Sequence, residues 1–367
     1  MHEKMMKHAL KCAEQGTGFV NPNPLVGAVV VKNNHIIAEG YHALYGSNHA
    51  EINAFNTAKE SVEEATMYVT LEPCSHYGKT PPCAEAIIKN KIKEVFIASI
   101  DPNPLVAGKG VKLLENAGIR VSVGLLDNEN KQLNKVFFKY IKSNTPYVVM
   151  KTAMSLDGKI GTNTGDSKWI SNDKSRAFVH QLRHQYKAIM VGVNTVINDN
   201  PYLTTRLDNI KGRNPIRIIV DSNGKIPFDS NIVKTAESIK TIVATTKRCP
   251  NEVLERLHNK GIETIITTAQ NNQVDLNELM QKLASIGIDG ILLEGGSTLN
   301  AAALKAGIVD EIITFVAPKI ISGKQALSPI GGEGINLMNE ALNLKLMHYQ
   351  LFDDDMMLQY IVVKENA

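Results

Sequence analysis

Apolar residues alternate along the first part of the chain between short continuous runs, typical of buried strands, and three- to four-residue spacing, typical of helices. Two of the strands flank Lys32-Asn33-Asn34-His35, a sequence that favours a tight hairpin turn. The pattern predicts strands at 26–32, 36–40, 66–71, 94–99 and 120–124, and helices at 5–15, 51–59, 84–90 and 110–117. This alternation predicts an α/β layer domain.

A helical pattern over 126–142 leads into Ser143-Asn144-Thr145-Pro146, a polar stretch that predicts a domain boundary. We therefore expect two domains, 1–144 and 145–367. A second α/β series follows, with a β-rich end over 311–321 and 345–363. Its other predicted strands are 147–153, 188–192, 217–220, 241–245, 263–267 and 290–294, and its predicted helices are 173–183, 252–260, 276–286 and 297–306.

Composition narrows the class of protein. Of the 367 residues, 43% are hydrophobic and 21% charged, which excludes a disordered or fibrous chain. The net charge of +3 predicts neither a nucleic-acid nor a membrane partner. The charged N-terminus lacks a signal-peptide core, no apolar run could span a bilayer, and four cysteines are too few for a disulfide framework. We expect a soluble, cytoplasmic protein whose cysteines are metal ligands, nucleophiles or core residues.

Three residues in the first domain form a candidate zinc site. His49, Cys74 and Cys83 supply one imidazole and two thiolates, which leaves the fourth tetrahedral position of Zn²⁺ open for water. Cys83 lies at a predicted helix start, which favours its thiolate. Glu51, two residues from His49, can carry a proton from water to a leaving amine. These parts suffice for hydrolytic deamination with one Zn²⁺ per chain, and His-x-Glu with Pro-Cys is the zinc-deaminase signature.

Two observations leave alternatives open. The generic signature continues Pro-Cys-x-x-Cys, whereas eight residues separate Cys74 from Cys83. A nucleoside or tRNA adenosine deaminase with a C-terminal binding module is one alternative, although the low net charge argues against an RNA-binding module. A zinc-stabilised binding protein without catalysis is another. Cys12 and Cys249 are assigned to the core.

The second domain lacks Gly-x-Gly-x-x-Gly but contains Glu294-Gly295-Gly296-Ser297 between a predicted strand and helix. Glycines allow close approach of a ligand, and a helix start attracts phosphate, although a Gly-Gly turn is often purely structural. Trp169, the only tryptophan, lies in a polar turn, which favours stacking on a ligand over core packing. Polar residues also follow the strands predicted at 147–153 and 188–192, where open α/β sheets bind ligands.

The segments 21–29, 71–83 and 101–108 together resemble the bifunctional deaminase–reductase family of riboflavin biosynthesis, in which the long cysteine spacing is usual. The resemblance spans nearly the whole chain. It implies a cytidine-deaminase-like α/β/α domain followed by a dihydrofolate-reductase-like α/β domain. It further implies deamination of 2,5-diamino-6-(5-phosphoribosylamino)pyrimidin-4(3H)-one, then NADPH-dependent reduction of the ribosyl group of the product, 5-amino-6-(5-phosphoribosylamino)uracil, to ribityl.

The resemblance also implies site residues by motif position. Expected contacts of the deaminase substrate are Asn23, His42, Lys79, Asp101 and Asn103. Expected NADPH contacts are Ala153, Trp169, Thr195, Asp199, Ser222, Gly296, Ser297, Thr298, Leu299, Asn300, Ala301 and Ala302. Expected contacts of the reductase substrate are Ser167, Arg183, Leu203, Arg206 and Glu294.

Reduction at the sugar carbon requires a proton donor, for which Lys151 and Asp199 are the candidates. Arg183 and Arg206 suit a 5′-phosphate because guanidinium groups pair bidentately with phosphate oxygens, although either could instead lie on a solvated face. We also expect a homo-oligomer.

Overall fold

The chain divides into two units, Met1–Asn144 (unit 1) and Thr145–Ala367 (unit 2). The computed structural model describes residues 1–77, 81–104, 106–208 and 212–364. Lys79, expected at the deaminase substrate, lies outside these residues.

Unit 1 consists of one sheet between helices. Its strands are β1 (Gly27–Lys32), β2 (His35–Tyr41), β3 (Thr66–Leu71), β4 (Glu94–Ser99) and β5 (Arg120–Val123). Its helices are α1 (His2–Glu14), α2 (Ala50–Asn56), α3 (Cys83–Lys89), α4 (Lys109–Asn116), α5 (Asp127–Leu133) and α6 (Lys135–Ser143).

The sheet of unit 1 has the order β2-β1-β3-β4-β5, with β3, β4 and β5 parallel and β1 antiparallel to both of its neighbours. Asn33 and Asn34 turn the β1–β2 hairpin with φ of 50° and 64°, left-handed values that asparagine tolerates well. The predicted hairpin is therefore confirmed.

The two faces of this sheet bury different helices. Alternate residues of β1 pack with α1 on one face, where Val29 and Val31 share an apolar cluster with Met6 and Ala9. The other β1 residues face a second cluster that contains residues of α2 and α3. Gly40 allows α2 to lie directly on β2, because a Cβ there would be 2.3 Å from the backbone nitrogen of Ala54. This close packing fixes the helix that follows His49.

The helical pattern predicted over 126–142 is confirmed, with one interruption. The segment forms α5 and α6, separated at Asn134, whose φ is −103° and ψ 22°. The Asn134 side chain accepts a hydrogen bond from the Leu25 backbone N–H at 2.8 Å and donates one to the Leu25 carbonyl at 2.9 Å. These long-range bonds hold the loop before β1 and are invisible in a local periodicity.

Unit 2 has a larger sheet and a short hairpin. Its strands are β6 (Tyr147–Ser155), β7 (Ala188–Gly192), β8 (Ile216–Val220), β9 (Thr241–Thr246), β10 (Glu263–Thr267), β11 (Ala269–Gln270), β12 (Gln273–Val274), β13 (Gly290–Leu293), β14 (Glu311–Ala317), β15 (Leu344–Phe352) and β16 (Asp355–Val362). Its helices are α7 (Asp173–Gln185), α8 (Val193–Asp199), α9 (Asn231–Lys234), α10 (Asn251–His258), α11 (Leu276–Ser285), α12 (Ser297–Lys305) and a 3-10 turn, Met338–Glu340.

The nine-stranded sheet of unit 2 has the order β10-β9-β8-β7-β13-β6-β14-β16-β15. It is parallel from β10 to β14 and ends in the antiparallel pairs β14–β16 and β16–β15. Two apolar clusters contain residues of its central strands. Because β6, β13, β7 and β8 are parallel neighbours, their carboxyl ends share one edge of the sheet, where a ligand crevice is expected.

The carboxyl-terminal stretch forms a hairpin in which Asp353 turns the chain with φ of 52°. In the part of the chain that the structure describes, we find no helix with both the length and the apolarity needed to cross a bilayer.

Candidate active sites

The first candidate site lies in unit 1, at the starts of α2 and α3. His49 immediately precedes α2 with an extended backbone, and Glu51 lies in the first turn of that helix. Cys83 is the first residue of α3, and Cys74 follows the end of β3. One strand end and two helix starts thus bring four side chains from distant parts of the sequence to one point.

Three of these side chains form a compact set of metal-ligating atoms. His49 Nδ1 lies 3.6 Å from Cys74 Sγ and 3.4 Å from Cys83 Sγ. All three ligand atoms lie within 4.8 Å of one another. One nitrogen and two sulfurs at this spacing suit Zn²⁺, whose ligands are imidazoles and thiolates. The predicted triad is brought together by the fold.

The two thiols respond differently to this environment. Hydrogen bonding from the Cys83 side chain lowers the pKa of Cys74, against the opposing effect of burial and with help from His49. The Cys83 backbone N–H also donates to Cys74 Sγ at 3.2 Å. The pKa of Cys83 is raised, since it donates to Cys74 and is buried. A Zn²⁺ ion fits here, because it would replace the proton that Cys83 donates to Cys74 and would stabilise both thiolates.

Glu51 lies beside these ligands but is not one of the three. It is buried, and burial followed by the charge of Cys74 raises its pKa to about 7. A carboxyl group with such a pKa can both accept and return a proton near neutral pH.

The site opens into a cavity of about 340 Å³. Four of the expected substrate contacts line it: Asn23, His42, Asp101 and Asn103. Part of its wall is apolar and comes from Val26, Leu71, Val106, Phe137 and Ile141. The cavity therefore combines an apolar wall with a few amide and carboxyl groups, as suits a heteroaromatic ring.

His42 has hydrogen-bond partners for both ring nitrogens. Its Nδ1 lies 3.0 Å from the Asn48 carbonyl, and its Nε2 lies 3.2 Å from Asn23 Nδ2. The carbonyl accepts, so Nδ1 carries the proton and Nε2 accepts from the amide. Burial lowers the pKa of His42, which favours this neutral form. The arrangement fixes the orientation of the Asn23 amide.

Glu72 is a functional residue that the sequence analysis did not assign. Its buried carboxylate accepts hydrogen bonds from the backbone N–H groups of Asp101 (3.3 Å), Gly108 (3.0 Å), Gly110 (2.9 Å) and Val111 (3.3 Å). Gly110 permits this contact, since a Cβ there would lie 2.1 Å from the Pro73 carbonyl oxygen. Glu72 thus fixes the segment that carries Asp101 and Asn103. In the sequence, the one indication of this role is that an acidic residue lies between a strand predicted to be buried and Pro73-Cys74.

The second site is a cavity of about 930 Å³ in unit 2. Its lining includes these expected contacts: Ser167, Thr195, Asp199, Ser222, Gly296, Ser297, Thr298, Leu299 and Ala302. Ala153, Trp169, Asn300 and Ala301 are not part of that lining. Asn300 instead faces inward and donates to the Pro329 carbonyl at 2.9 Å. Residues 160–165 also line the cavity and were not predicted as contacts.

The cavity lies at the starts of two helices. Gly192 precedes α8 and Gly296 precedes α12, and both glycines line the cavity. A Cβ on Gly296 would lie 3.3 Å from Thr195 Oγ1, so glycine keeps the backbone accessible. Unpaired backbone N–H groups at helix starts bind phosphate oxygens. These residues therefore fit a cofactor with phosphate groups.

Trp169 lies at the surface, with 62% of its area exposed. The Arg176 guanidinium lies 4.7 Å from the centroid of its ring, and Lys319 donates to the Trp169 carbonyl. Trp169 is therefore not a core residue, in agreement with the sequence-based expectation. Its stacking on a ligand remains a prediction.

Arg183 and Glu294 form a bidentate ion pair. Arg183 Nε and Nη2 donate to the two Glu294 carboxylate oxygens at 2.7 and 2.9 Å. Burial would raise the pKa of Glu294, but Arg183 and then Lys151 hold it at about 2. Burial lowers the pKa of Lys151, opposed by Glu294 and assisted by Arg183. The charges that influence the pKa of Lys151 are therefore those of Glu294 and Arg183. The charge that influences the pKa of Asp199 is that of Lys168.

Arg206 and Leu203, two further expected substrate contacts, differ in exposure. Arg206 is exposed, and its Nη2 lies 3.1 Å from His180 Nε2. Burial, followed by Arg183 and Arg206, lowers the pKa of His180 to about 4, and this neutral imidazole was not predicted as part of the site. The Leu203 side chain packs in the apolar core, which leaves its backbone as the part able to contact a substrate.

Two family models match the chain. Residues 1–99 match the cytidine and deoxycytidylate deaminase zinc-binding region, and residues 146–358 match the RibD C-terminal domain.

Full-length relatives are similar over both units. The riboflavin biosynthesis protein RibD of Actinobacillus pleuropneumoniae is 50% identical over 98% of this chain and 94% of its own length. The RibD of Aquifex aeolicus is 43% identical over 96% of each chain.

Among solved structures, RibD of Acinetobacter baumannii superposes with a TM-score of 0.90 at 37% identity, covering 99% of both chains. A diaminohydroxyphosphoribosylaminopyrimidine deaminase/5-amino-6-(5-phosphoribosylamino)uracil reductase from Thermotoga maritima gives a TM-score of 0.88 at 37% identity, again over 99% of both chains. These similarities confirm the expected fold class, a cytidine-deaminase-like domain followed by a dihydrofolate-reductase-like domain.

Proposed function

Because the chain belongs to the RibD family of riboflavin biosynthesis proteins, we propose that unit 1 deaminates 2,5-diamino-6-(5-phosphoribosylamino)pyrimidin-4(3H)-one and that unit 2 reduces the ribosyl group of the resulting uracil to ribityl. The chain is a bifunctional enzyme, with a zinc-binding deaminase region and a reductase of the NADPH-using type. The RibD C-terminal domain replaces the alternative of a nucleic-acid-binding module in the second half.

His49, Cys74 and Cys83 are the proposed zinc ligands. Zinc, when bound there, supplies a Lewis acid that makes water nucleophilic near neutral pH. Glu51 is positioned to take a proton from the attacking water and to give it to the departing amine. Its position supports this role, because Glu51 is buried in the first turn of α2, two residues from His49.

The cavity of unit 1 holds the pyrimidine ring in this proposal. The Asn23 amide, oriented by His42, and the Asp101 carboxyl can pair with polar edges of the ring. The apolar wall that includes Val26 and Phe137 excludes water from the ring face. Glu72 acts indirectly, by holding the backbone that carries Asp101.

The cavity of unit 2 is the proposed NADPH site. NADPH, when bound, supplies the hydride for the reduction. The starts of α8 and α12 bind its phosphates, while Thr195, Asp199 and Ser222 contribute polar groups along the same cavity. Ala153, Trp169, Asn300 and Ala301 remain proposed contacts on the family resemblance alone.

The reductase substrate is proposed to lie near Arg183 and Glu294. Since the Arg183 fork is already paired with Glu294, the exposed Arg206 is the better candidate for the 5′-phosphate. The Arg183–Glu294 pair instead acts electrostatically on Lys151, the first candidate for the proton donor, whose pKa is lowered by burial. Asp199, on the cofactor cavity, is the second candidate.

The proposal depends most on the convergence of His49, Cys74 and Cys83 beside Glu51. It is tested by incubating the enzyme with the diaminopyrimidine ribotide, with and without NADPH, and identifying the products by mass spectrometry. Without NADPH we expect ammonia and the ribosylaminouracil phosphate, and with NADPH the ribityl product. Release of no ammonia by zinc-loaded enzyme would contradict the deaminase assignment.

A homo-oligomer is also proposed. Strand β15 forms an edge of the unit 2 sheet and exposes Leu344, Leu346, Tyr349 and Leu351 by 41–65%. An exposed apolar edge strand favours pairing with another copy of the chain. Light scattering during size exclusion tests this, and a monomeric mass across concentrations would contradict it.

A cytoplasmic location is the last proposal. It is supported by the need to keep Cys74 and Cys83 as thiols, since a reducing compartment prevents their oxidation. Cell fractionation with a marker enzyme tests it, and recovery with secreted or membrane fractions would contradict it.

A further inference from the structure

A second group of metal-ligating side chains lies on the α1 face of the unit 1 sheet. His8 and Cys12 are four residues apart on α1 and so project from one side of that helix. Glu39 pairs with Val29 in the β1–β2 register, and Val29 packs with α1. Glu39 therefore projects toward the same helix.

The ligand atoms of these residues are close together. His8 Nε2 lies 2.6 Å from Glu39 Oε2. One ligand atom each from His8, Cys12 and Glu39 lies within 4.8 Å of the other two. The ligand atoms of His49, Cys74 and Cys83 lie within the same distance of one another. None of the three belongs to either active-site cavity.

The three side chains line a cavity that an ion can reach from solvent. The group lines a cavity of about 760 Å³, to which Gln15, Tyr41 and Lys59 also contribute. Cys12 is buried with 4% exposure, whereas the side chains of His8 and Glu39 are 39% and 54% exposed. An ion can thus enter from solvent and meet a sulfur at the base of the cavity.

We propose that His8, Cys12 and Glu39 form a second, exchangeable site for a borderline transition-metal ion such as Zn²⁺ or Co²⁺. An imidazole nitrogen, a thiolate sulfur and a carboxylate oxygen are all ligands of these ions, and three of them leave one position for water. The bound ion joins α1 to β2, the edge strand of the sheet. It thereby stabilises the amino-terminal helix on unit 1.

The two metal sites differ in expected affinity. The His49 site has two sulfur ligands and lies in a largely buried pocket, whereas the second site has one sulfur and two exposed ligands. Burial and then the Glu39 charge raise the pKa of the Cys12 thiol to about 11, and Lys59 lines the same cavity, so both features oppose binding of an ion here. The second site is therefore filled after the first and released more readily.

The test adds Co²⁺ to the full-length enzyme already loaded with one zinc per chain. We expect one further Co²⁺ per chain, with thiolate-to-cobalt charge-transfer absorption, while the zinc content stays unchanged. Cys12→Ser removes that absorption. His8→Gln and Glu39→Gln weaken Co²⁺ binding by at least about tenfold, since even partners outside the ligand set cost that much.

Matched controls separate this site from general effects. Cys249→Ser changes another buried cysteine, and His35→Gln changes an exposed histidine on β2. Both should bind Co²⁺ like the wild type. If Cys12→Ser fails to fold, the two exposed positions, His8 and Glu39, still decide the outcome. Binding of no further Co²⁺, or binding unaltered by His8→Gln and Glu39→Gln, overturns the proposal.

Discussion

The backbone N–H of Cys83 donates to the Sγ of Cys74 at 3.2 Å, so the first residue of α3 stabilises the thiolate that follows β3. This bond exists because the fold brings a helix start to a strand end. Together with the hydrogen bond from the Cys83 side chain, this bond lowers the pKa of Cys74 and so favours the thiolate that a metal ion requires.

Removal of zinc should separate the two activities. Dialysis against a chelator is expected to abolish ammonia release and leave the reductase rate unchanged, because the metal ligands lie in unit 1 and the cofactor cavity lies in unit 2. Added Zn²⁺ should restore deamination. Parallel assays of both reactions with metal analysis check this, and equal loss of both activities would contradict it.

Glu51→Gln should reduce deamination by about 10²–10⁴-fold, the usual contribution of a general acid–base group. Zinc content should remain at the wild-type value, since Glu51 is not in the ligand set. Glu63→Gln, at a surface ion pair with Lys91, provides a control with wild-type rates. Undiminished deamination by Glu51→Gln would remove the proposed proton carrier.

Glu72→Ala should weaken both stability and substrate binding by unit 1. Four backbone N–H groups lose their acceptor, so we expect unfolding free energy to fall by about 3 kcal/mol. KM of the deaminase should rise more than kcat falls, because the segment that carries Asp101 is released while the zinc ligands stay in place. Denaturant unfolding and steady-state kinetics check this; a wild-type KM would show that Glu72 does not position the pocket.

The buried Arg183–Glu294 pair predicts a pH-dependent stability of unit 2. The pKa of Glu294 is lowered from 4.5 to about 2, so its contribution is fully present above pH ~4.5 and is lost as pH falls toward 2. The shift corresponds to about 3 kcal/mol. Glu294→Gln should flatten this part of the profile of unfolding free energy against pH. An unchanged slope would contradict the ion pair's role.

Replacing Arg183 tests the same pair from its other side. Arg183→Ala leaves the Glu294 carboxylate buried without its partner, which is expected to cost about 3–5 kcal/mol. The double variant Arg183→Met with Glu294→Leu should recover much of the stability but not the reductase activity. Thermal unfolding and NADPH oxidation measure the two effects separately. Reductase activity in the stable double variant would show that the pair has no part in catalysis.

The sequence predicted best those features that depend on neighbouring residues along the chain. The short apolar runs at Thr66–Leu71 and Glu94–Ser99 are strands with the predicted bounds, because a buried strand is marked by a local run of apolar residues. His49, Glu51, Cys74 and Cys83 were recognisable because few other functions require these residue types together. The fold then placed them at one point through helix starts and a strand end.

Long-range contacts escaped the sequence analysis. The break at Asn134 depends on Leu25, 109 residues away, and the role of Glu72 depends on backbone groups 29–39 residues farther along. The pairing of Arg183 with Glu294 likewise joins α7 to the end of β13. None of these partners is marked by a periodicity or a spacing, so only the three-dimensional structure identifies them.

X-ray absorption at the zinc edge, on enzyme loaded with one zinc per chain, tests the metal site most directly. We predict two sulfur ligands at about 2.3 Å and one imidazole nitrogen at about 2.0 Å, with a light atom in the fourth position. A shell with four sulfurs, or with none, would contradict an open site formed by His49, Cys74 and Cys83.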